Sequence, residues 1–329
     1  MSAVNATAHD ALPVNIVHGT HSQLILFLVL NMWPSHFGLP LLLSIVLLSK
    51  RVKRHATFVN LCVVFIITGI SSSLLLYAGK ITGPEPSRML CLLQSSLLYG
   101  MPCLTSTAAL TLVLQMYFTI RAAYNGQEYR EGDHFLRVWI LLSAPYIAYF
   151  IAILATASIG AMDPTRVSRN RRFFYCSLEN LPLTNTLTIY SAIILFATFV
   201  MSVWTMVLLY RRMMSLKALP EHLRSNASKL DLSFPLRIIT FGFYIVIAMS
   251  LSLLSVTSPS SPAPDLVIAS AATFVILIFG TQRDIIDVLC FWRRRRPRQV
   301  SEASYNVDLK QVFDTESKGE PTYAGPVAF

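Results

Sequence analysis

The chain has 329 residues, of which 54% are hydrophobic and 13% are charged. A soluble domain carries about 25% charged residues, so this composition excludes an ordinary soluble fold and indicates a membrane protein. The net charge of +10 could also suit a nucleic acid. However, the basic residues lie in short runs between long apolar stretches, so we expect a lipid bilayer as the partner and no nucleic acid.

Residues 1–22 are predicted to form a short segment outside the membrane. The first 49 residues contain no Lys or Arg, so the basic region that begins a cleaved signal peptide is missing and the segment is expected to be retained. Asn5 begins an Asn-Ala-Thr sequon, which makes it a candidate glycosylation site and agrees with an outside location.

Seven apolar stretches follow this segment. A membrane-spanning helix needs about 20 mainly apolar residues, and the stretches that qualify are 24–49, 56–79, 89–119, 138–162, 184–210, 238–257 and 264–282. They predict an all-α fold in which residues 23–292 form a seven-transmembrane helix bundle with a short amphipathic eighth helix. Residues 293–329 are predicted to be a basic, then disordered, cytosolic tail.

The basic residues alternate between the loops that join these stretches. Of the 27 Lys and Arg residues, 21 fall in alternate loops and the C-terminal tail, and 6 fall in the other set of loops. Because Lys and Arg are enriched on the cytoplasmic side, this bias predicts an outside N-terminus and a cytosolic C-terminus. We expect a multi-pass protein of the plasma membrane.

The spans lack the residues that membrane enzymes and pumps require. No span contains a Lys that could hold retinal as a Schiff base, and among His, Asp and Glu residues only His36 lies well inside a span. A single His cannot complete a metal site, and proton-coupled transporters place several acidic or His residues along the pathway. We therefore expect no enzymatic activity, no cofactor and no metal.

The third span is polar but uncharged. Gln94, Ser95 and Tyr99 lie in its outer half and are candidates for a ligand pocket shared with the fifth to seventh spans. The alternative is that such side chains form hydrogen bonds between helices, which contribute about 0.6–2 kcal/mol each in membranes.

Two of the five cysteines are placed to form a bridge. Cys91 lies at the outer end of the third span, and Cys176 lies in the outer loop 163–183. Both thiols would face the oxidising side of the membrane, so the sequence predicts a Cys91–Cys176 disulfide. The alternative is two unrelated thiols.

The same outer loop is basic and aromatic. It contains four arginines followed by three aromatic residues, namely Arg166, Arg169, Arg171, Arg172, Phe173, Phe174 and Tyr175. One hypothesis is that this loop attracts an anionic ligand or headgroup and covers the bundle as a lid, with Arg172 and Phe174 as pocket residues. The alternative is an ordinary solvated loop beside a packed hydrophobic plug.

The seventh stretch is expected to end near Gly280. The segment after it alternates apolar and charged residues, which predicts the eighth helix on the inner leaflet. Cys290 in this segment is a candidate for palmitoylation, with an unmodified thiol as the alternative. Arg293–Arg296 would then face anionic headgroups.

This layout resembles the G-protein-coupled receptor superfamily. The local sequences SKRVKRHATFVNLC, SSLLLYAG and FGTQRDII are similar to the receptor-like orphan proteins of mushroom-forming fungi. The chain departs from the rhodopsin-like pattern, because Gln115-Met116-Tyr117 stands where an Asp-Arg-Tyr motif would be expected. Helix 7 also lacks an Asn-Pro-x-x-Tyr motif.

The resemblance implies a receptor that senses an extracellular ligand and signals to a heterotrimeric G protein by helix rearrangement. Candidate contacts for the G protein are basic residues near the inner ends of the spans, namely Arg121, Arg211, Arg212 and Arg237. Each could instead only retain its helix end at the lipid interface. The competing functions are a small-solute or lipid transporter, for which we find no internal repeat, and a non-signalling membrane scaffold.

Overall fold

The computed structural model describes residues 20–49, 54–125, 135–169, 174–217, 240, 242–244, 246–247, 250, 263–281 and 283–289. The described part is mostly helical. Its helices are α1 (His21–Trp33), α2 (Leu39–Leu48), α3 (Ala56–Ser72), α4 (Leu74–Tyr77), α5 (Arg88–Tyr124), α6 (Phe135–Met162), α7 (Leu181–Lys217), α8 (Ala263–Gly280) and α9 (Arg283–Leu289). Asn5, Arg172, Arg237, Cys290 and the predicted tail lie outside the described residues.

The first predicted span forms one helical segment despite its polar interruption. Thr20 and Gln23 cap its start reciprocally, as in a capping box. Pro34 cannot donate a backbone hydrogen bond, and the chain continues through a π-helical turn at Pro34–Gly38 into α2. The hydroxyl of Ser35 donates to the carbonyl of Asn31 at 2.6 Å. The interruption therefore widens one turn and does not end the helix.

Four helical segments are long and apolar enough to cross a membrane. They are His21–Leu48, Arg88–Ala122, Phe135–Met162 and Leu181–Arg212. Ala56–Ser72 and Asp265–Gly280 are shorter apolar helices. The second predicted span is divided because the backbone at Ser73 leaves helical geometry (φ −92°, ψ 9°) before α4 begins. Within the sixth predicted span, the described residues 240, 242–244, 246–247 and 250 are helical.

The helix α5 occupies the centre of the described bundle. Its apolar window is 61% buried, against 17% for α6 and 28% for α7. Gly100 permits a close approach of α6, because a Cβ atom at this position would lie 2.6 Å from a ring carbon of Tyr149. Polar contacts also join the helices. The hydroxyl of Tyr146 donates to Asn60 Oδ1 at 2.6 Å, and Thr107 hydrogen-bonds Tyr190 at 3.1 Å.

The structure describes the end of the predicted seventh span and the beginning of the predicted eighth helix. The helix α8 ends at Gly280 as the sequence predicts, and α9 covers the first seven residues of the predicted eighth helix. The described residues up to Val288 belong to one compact unit, and Leu289 is the one described residue of a second unit.

Candidate functional site

The α6–α7 loop, residues 163–180, is bonded covalently to α5. Cys91 in the first turn of α5 forms a disulfide with Cys176, and their Cα atoms lie 5.2 Å apart. Both cysteines are almost fully buried, and Leu75, Val167 and Leu178 belong to the same hydrophobic cluster. The predicted pairing is therefore present, and it holds the loop against the end of α5.

A short hairpin gives the α6–α7 loop its shape. Strand β1 (Val167–Ser168) pairs antiparallel with β2 (Ser177–Leu178), with Val167 opposite Leu178. The hydroxyl of Tyr99 on α5 donates to the carbonyl of Leu178 at 2.7 Å. This predicted pocket residue therefore contacts the backbone of the loop beside the disulfide.

Gln94 joins the α6–α7 loop to two helices. Its Oε1 accepts a hydrogen bond from the backbone N–H of Cys176 at 3.1 Å, and its Nε2 donates to the carbonyl of Ser72 at 3.5 Å. Gln94 and Ser95 are fully buried, and the Ser95 hydroxyl donates to the carbonyl of Leu92 within α5. The amide of Gln94 thus positions the loop, and direct ligand contact by Gln94, Ser95 or Tyr99 stays a prediction.

Arg169 connects the hairpin to the segment between α4 and α5. Its guanidinium donates to the carbonyls of Lys80 at 2.9 Å, Ile81 at 3.0 Å and Gly83 at 2.8 Å. Only 5% of the residue is exposed. Burial lowers the pKa of the Arg169 guanidinium, while the nearby charge of Glu85 raises it. The guanidinium of Arg169 therefore binds the protein's own backbone, and its burial leaves it little contact with a ligand.

Arg166 has a different environment on the same loop. Its Nε lies 2.7 Å from Asp163 Oδ2 in an ion pair whose two side chains are 53% and 41% exposed. The hydroxyl of Thr165 donates a hydrogen bond to the Asp163 carboxylate, and this bond lowers the pKa of the carboxyl. The hydrogen bond and the positive charge of Arg166 lower this pKa further. Both arginines that the structure describes in this loop thus contact the protein itself, while Arg171 and Arg172 lie outside the described residues. The predicted attraction of an anionic ligand would depend on those two.

The aromatic end of the loop packs between α1 and α8. The ring of Phe174 stacks on Phe27 with centroids 4.8 Å apart and is 6% exposed. The hydroxyl of Tyr175 donates to Asp265 Oδ1 at 3.0 Å. Asp265 lies in the first turn of α8, where a carboxylate interacts favourably with the helix dipole. The loop therefore contacts the middle of α1 and the starts of α5 and α8.

The sequence does not single out two of these contacts. Asp265 is an acidic residue before an apolar stretch, and the sequence indicates only that a helix begins there. Phe27 is one apolar residue among many in the first span. Only the packing of the loop identifies them, although the acidic residue at the predicted outer end of a span is a signal that could have been used.

Basic residues lie near the C-terminal ends of α5 and α7, away from the α6–α7 loop. Arg121 belongs to the last turn of α5 and is exposed, Arg211 on α7 is exposed, and Arg212 is half-buried. The rings of Tyr117 and Trp204 contact each other between these helices, with centroids 6.4 Å apart. The predicted contribution of these arginines to a G-protein surface stays a prediction.

In the part of the chain that the structure describes, the His, Cys, Asp and Glu side chains form no group of three or more that could hold a metal ion. A cavity of about 140 Å³ lies between α7 and the helical residues 242–243. Its lining is apolar and includes Phe199, Met206 and Phe243.

Comparison with known proteins adds no relative from which a role could be transferred. No protein-family model matches the chain, and no curated protein matches it significantly. A functional assignment for this chain therefore depends on its own residues and their geometry.

Proposed function

We propose that the chain is a seven-helix receptor-like membrane protein that senses an extracellular ligand and signals to a heterotrimeric G protein. The observation that carries this proposal is the α6–α7 loop. It is tied to α5 by Cys91–Cys176, to α1 by the stacking of Phe174, and to α8 by the hydrogen bond from Tyr175 to Asp265. A ligand that displaces or binds this loop would change the packing of three helices together.

The proposed orientation places this loop outside the cell. A buried disulfide persists in the oxidising compartment, and the excess of basic residues on the opposite side agrees with a cytosolic location there. In this proposal the seven crossings comprise the four long apolar segments, the two shorter apolar helices and the partly described span near residues 240–250. The plasma membrane is the expected location.

The proposed mechanism is a population shift between two packings of the helices, without covalent chemistry. The polar contacts between helices are suitable elements for such a shift, because a helix movement can exchange one hydrogen bond for another. The contact of Thr107 on α5 with Tyr190 on α7 links the two helices that bear Arg121, Arg211 and Arg212. A rearrangement there would open the basic inner face to the C-terminal helix of a Gα subunit.

Nucleotide exchange provides the test. Membranes from cells that co-express the chain with individual fungal Gα proteins would be assayed for GTP-analogue binding under a broad ligand panel. We expect stimulation with at least one Gα, and we expect Arg121→Ala with Arg211→Ala to reduce it. Arg166→Ala, on the loop side, is the matched control. Solute flux in proteoliposomes without any nucleotide exchange would overturn the proposal in favour of a transporter.

A further inference from the structure

The hydroxyl of Thr57, in the first turn of α3, has no hydrogen-bond partner among the described residues, and the residue is 1% exposed. Other threonines of the helices donate to the carbonyl four residues earlier, as Thr119 does to Gln115 at 2.9 Å. Thr57 has no such helical carbonyl, because α3 begins only at Ala56. A buried hydroxyl without a partner costs free energy. Thr57 is therefore a candidate donor to a bound ligand.

The backbone at the start of α3 supplies further donors. The first N–H groups of a helix have no carbonyl to bind within it, and here they belong to Ala56 and Thr57. The N-cap residue is His55, whereas Ser, Thr, Asp and Asn are the residues that commonly cap these groups. Because Cα–Cβ bonds tilt toward the N-terminus of a helix, the hydroxyl of Thr57 is directed to the same end. Such ends are partly positive and bind anions.

Arg137 of α6 lies at the same end of the described helices. The Tyr146 hydroxyl donates to Asn60 Oδ1 at 2.6 Å, and Asn60 Nδ2 donates to the carbonyl of Leu142 at 3.4 Å, so α6 lies against α3. Both helices begin on the predicted cytosolic side, and Arg137 belongs to the first turn of α6. Its guanidinium carbon lies 4.3 Å from the centroid of the Phe118 ring on α5. This cation–π contact positions the guanidinium and leaves its charge in place.

The charge and depth of this region favour a phosphate group as the ligand. Arg54 is half-buried and directly precedes the N-cap residue of α3, so it adds a second positive charge. Trp139 on α6 is 56% exposed, which is typical of an aromatic residue at the membrane–water interface, where phospholipid phosphates lie. A phosphate has several acceptor oxygens for amide, hydroxyl and guanidinium donors. Water would satisfy the hydroxyl alone, whereas an anion also balances the two guanidinium charges.

We propose that the first turn of α3, with Thr57, Arg54 and Arg137, binds the phosphate group of an anionic phospholipid of the inner leaflet. The hydroxyl of Thr57 and the N–H groups of the first turn donate to phosphate oxygens, while the arginines balance the negative charge. The lipid thereby connects the start of α3 with the start of α6. The site requires that the chain is inserted in a membrane, but it does not depend on signalling to a G protein.

Native mass spectrometry of the full chain tests the site. The chain in detergent would be titrated with phosphatidic acid, whose headgroup is a phosphate alone, and the bound lipid would be measured. Thr57→Val should bind phosphatidic acid at least about tenfold more weakly, the factor expected for one hydrogen bond to a charged group. Arg137→Met should weaken binding by a similar factor. Thr57→Val should unfold at no lower temperature than the wild type without the lipid, because valine replaces a buried hydroxyl that has no partner among the described residues.

Matched variants separate this site from general attraction to anionic lipid. Thr119→Val removes a hydroxyl that bonds within α5, and Arg211→Met removes an exposed charge near the C-terminal end of α7. Both should bind phosphatidic acid as the wild type does. The proposal is overturned if Thr57→Val and Arg137→Met also bind as the wild type does, or if Arg211→Met weakens binding as much as Arg137→Met.

Inorganic phosphate distinguishes the two sources of the same group. We expect it to displace phosphatidic acid only at high concentration, because the lipid is also held by its acyl chains. Displacement at the same concentration as by a soluble short-chain phosphatidic acid would show that free phosphate is the ligand and would overturn the assignment to a lipid. Phosphatidylcholine should compete poorly, since its headgroup carries no net negative charge.

Discussion

Replacement of Arg169 tests whether the α6–α7 loop is held by geometry or by general charge. The three carbonyls that accept from its guanidinium lie within 2.8–3.0 Å, and the residue is 5% exposed. A buried acceptor left without its donor costs about 1–3 kcal/mol, so the loss of all three hydrogen bonds is expected to cost at least about 3 kcal/mol. Arg169→Met should therefore lower the free energy of loop opening by about that amount. Arg169→Lys should lose most of this free energy as well, because an ammonium lacks the planar fork that reaches three acceptors.

Arg166→Met is the control because it removes the same charge from the same loop. Its ion pair with Asp163 is exposed on both sides, and such pairs contribute about 0.2–1 kcal/mol. The two variants thus have equal net charge but should differ several-fold in their effect on stability. Any difference between them reports the hydrogen-bond network.

Amide hydrogen exchange of the chain in nanodiscs measures this difference. Peptides that cover residues 80–85 and 166–169 should exchange about 100-fold to 1000-fold faster in Arg169→Met than in the wild type, because each 1.4 kcal/mol corresponds to a factor of ten. Arg166→Met should accelerate exchange less than about tenfold. Equal acceleration in both variants would refute the reasoning and show that charge alone retains the loop.

Three further changes have defined outcomes. The double variant Cys91→Ser, Cys176→Ser removes a bridge between residues 85 apart in sequence. If the bridge acts by restricting the unfolded chain, its loss should lower the free energy of unfolding by at most about 4–5 kcal/mol. Reductant should destabilise the wild type and leave this variant unchanged. Gly100→Val places a side chain against Tyr149 and should cost about 1–3 kcal/mol by overpacking. Adding Tyr149→Ala should recover part of that loss in a double-mutant cycle, and strict additivity would contradict the contact. The lowered pKa of Asp163 means that its stabilising contribution is present above its ordinary pKa of 3.8 and is lost as the pH falls through the lower folded value. Thermal unfolding measured as the pH falls from about 5 to below 3.8 should therefore show a loss of stability that Asp163→Asn lacks.

The sequence identifies several residues of the candidate site but does not show what each of them contacts. Cys91 and Cys176 could be paired from their positions, because the bridge required only that both thiols lie at one end of the spans. Gln94 and Tyr99 could be recognised as polar residues at that end. Their hydrogen bonds to Cys176 and Leu178 depend on where the hairpin places two backbone groups, and a linear pattern of residue types does not contain that information.

The four arginines of the loop illustrate the same limit. In the sequence they form one basic cluster that suggests an anionic partner. In the structure Arg169 is buried on three carbonyls, while Arg166 forms an exposed pair with Asp163. The difference arises because the β1–β2 hairpin turns Arg169 toward the α4–α5 segment.

The sequence by itself determined that the chain is helical and has long apolar segments, because hydropathy and charge placement are properties of local composition. It also indicated the cysteine pair and the polar interruption at Pro34 and Ser35. Only the tertiary structure decided that the interruption becomes a π-helical turn and that His36 meets Tyr77, 41 residues away. It likewise decided that Phe174 stacks on Phe27. These contacts join residues that are distant along the chain, so they depend on how the helices pack and not on the composition of any one of them.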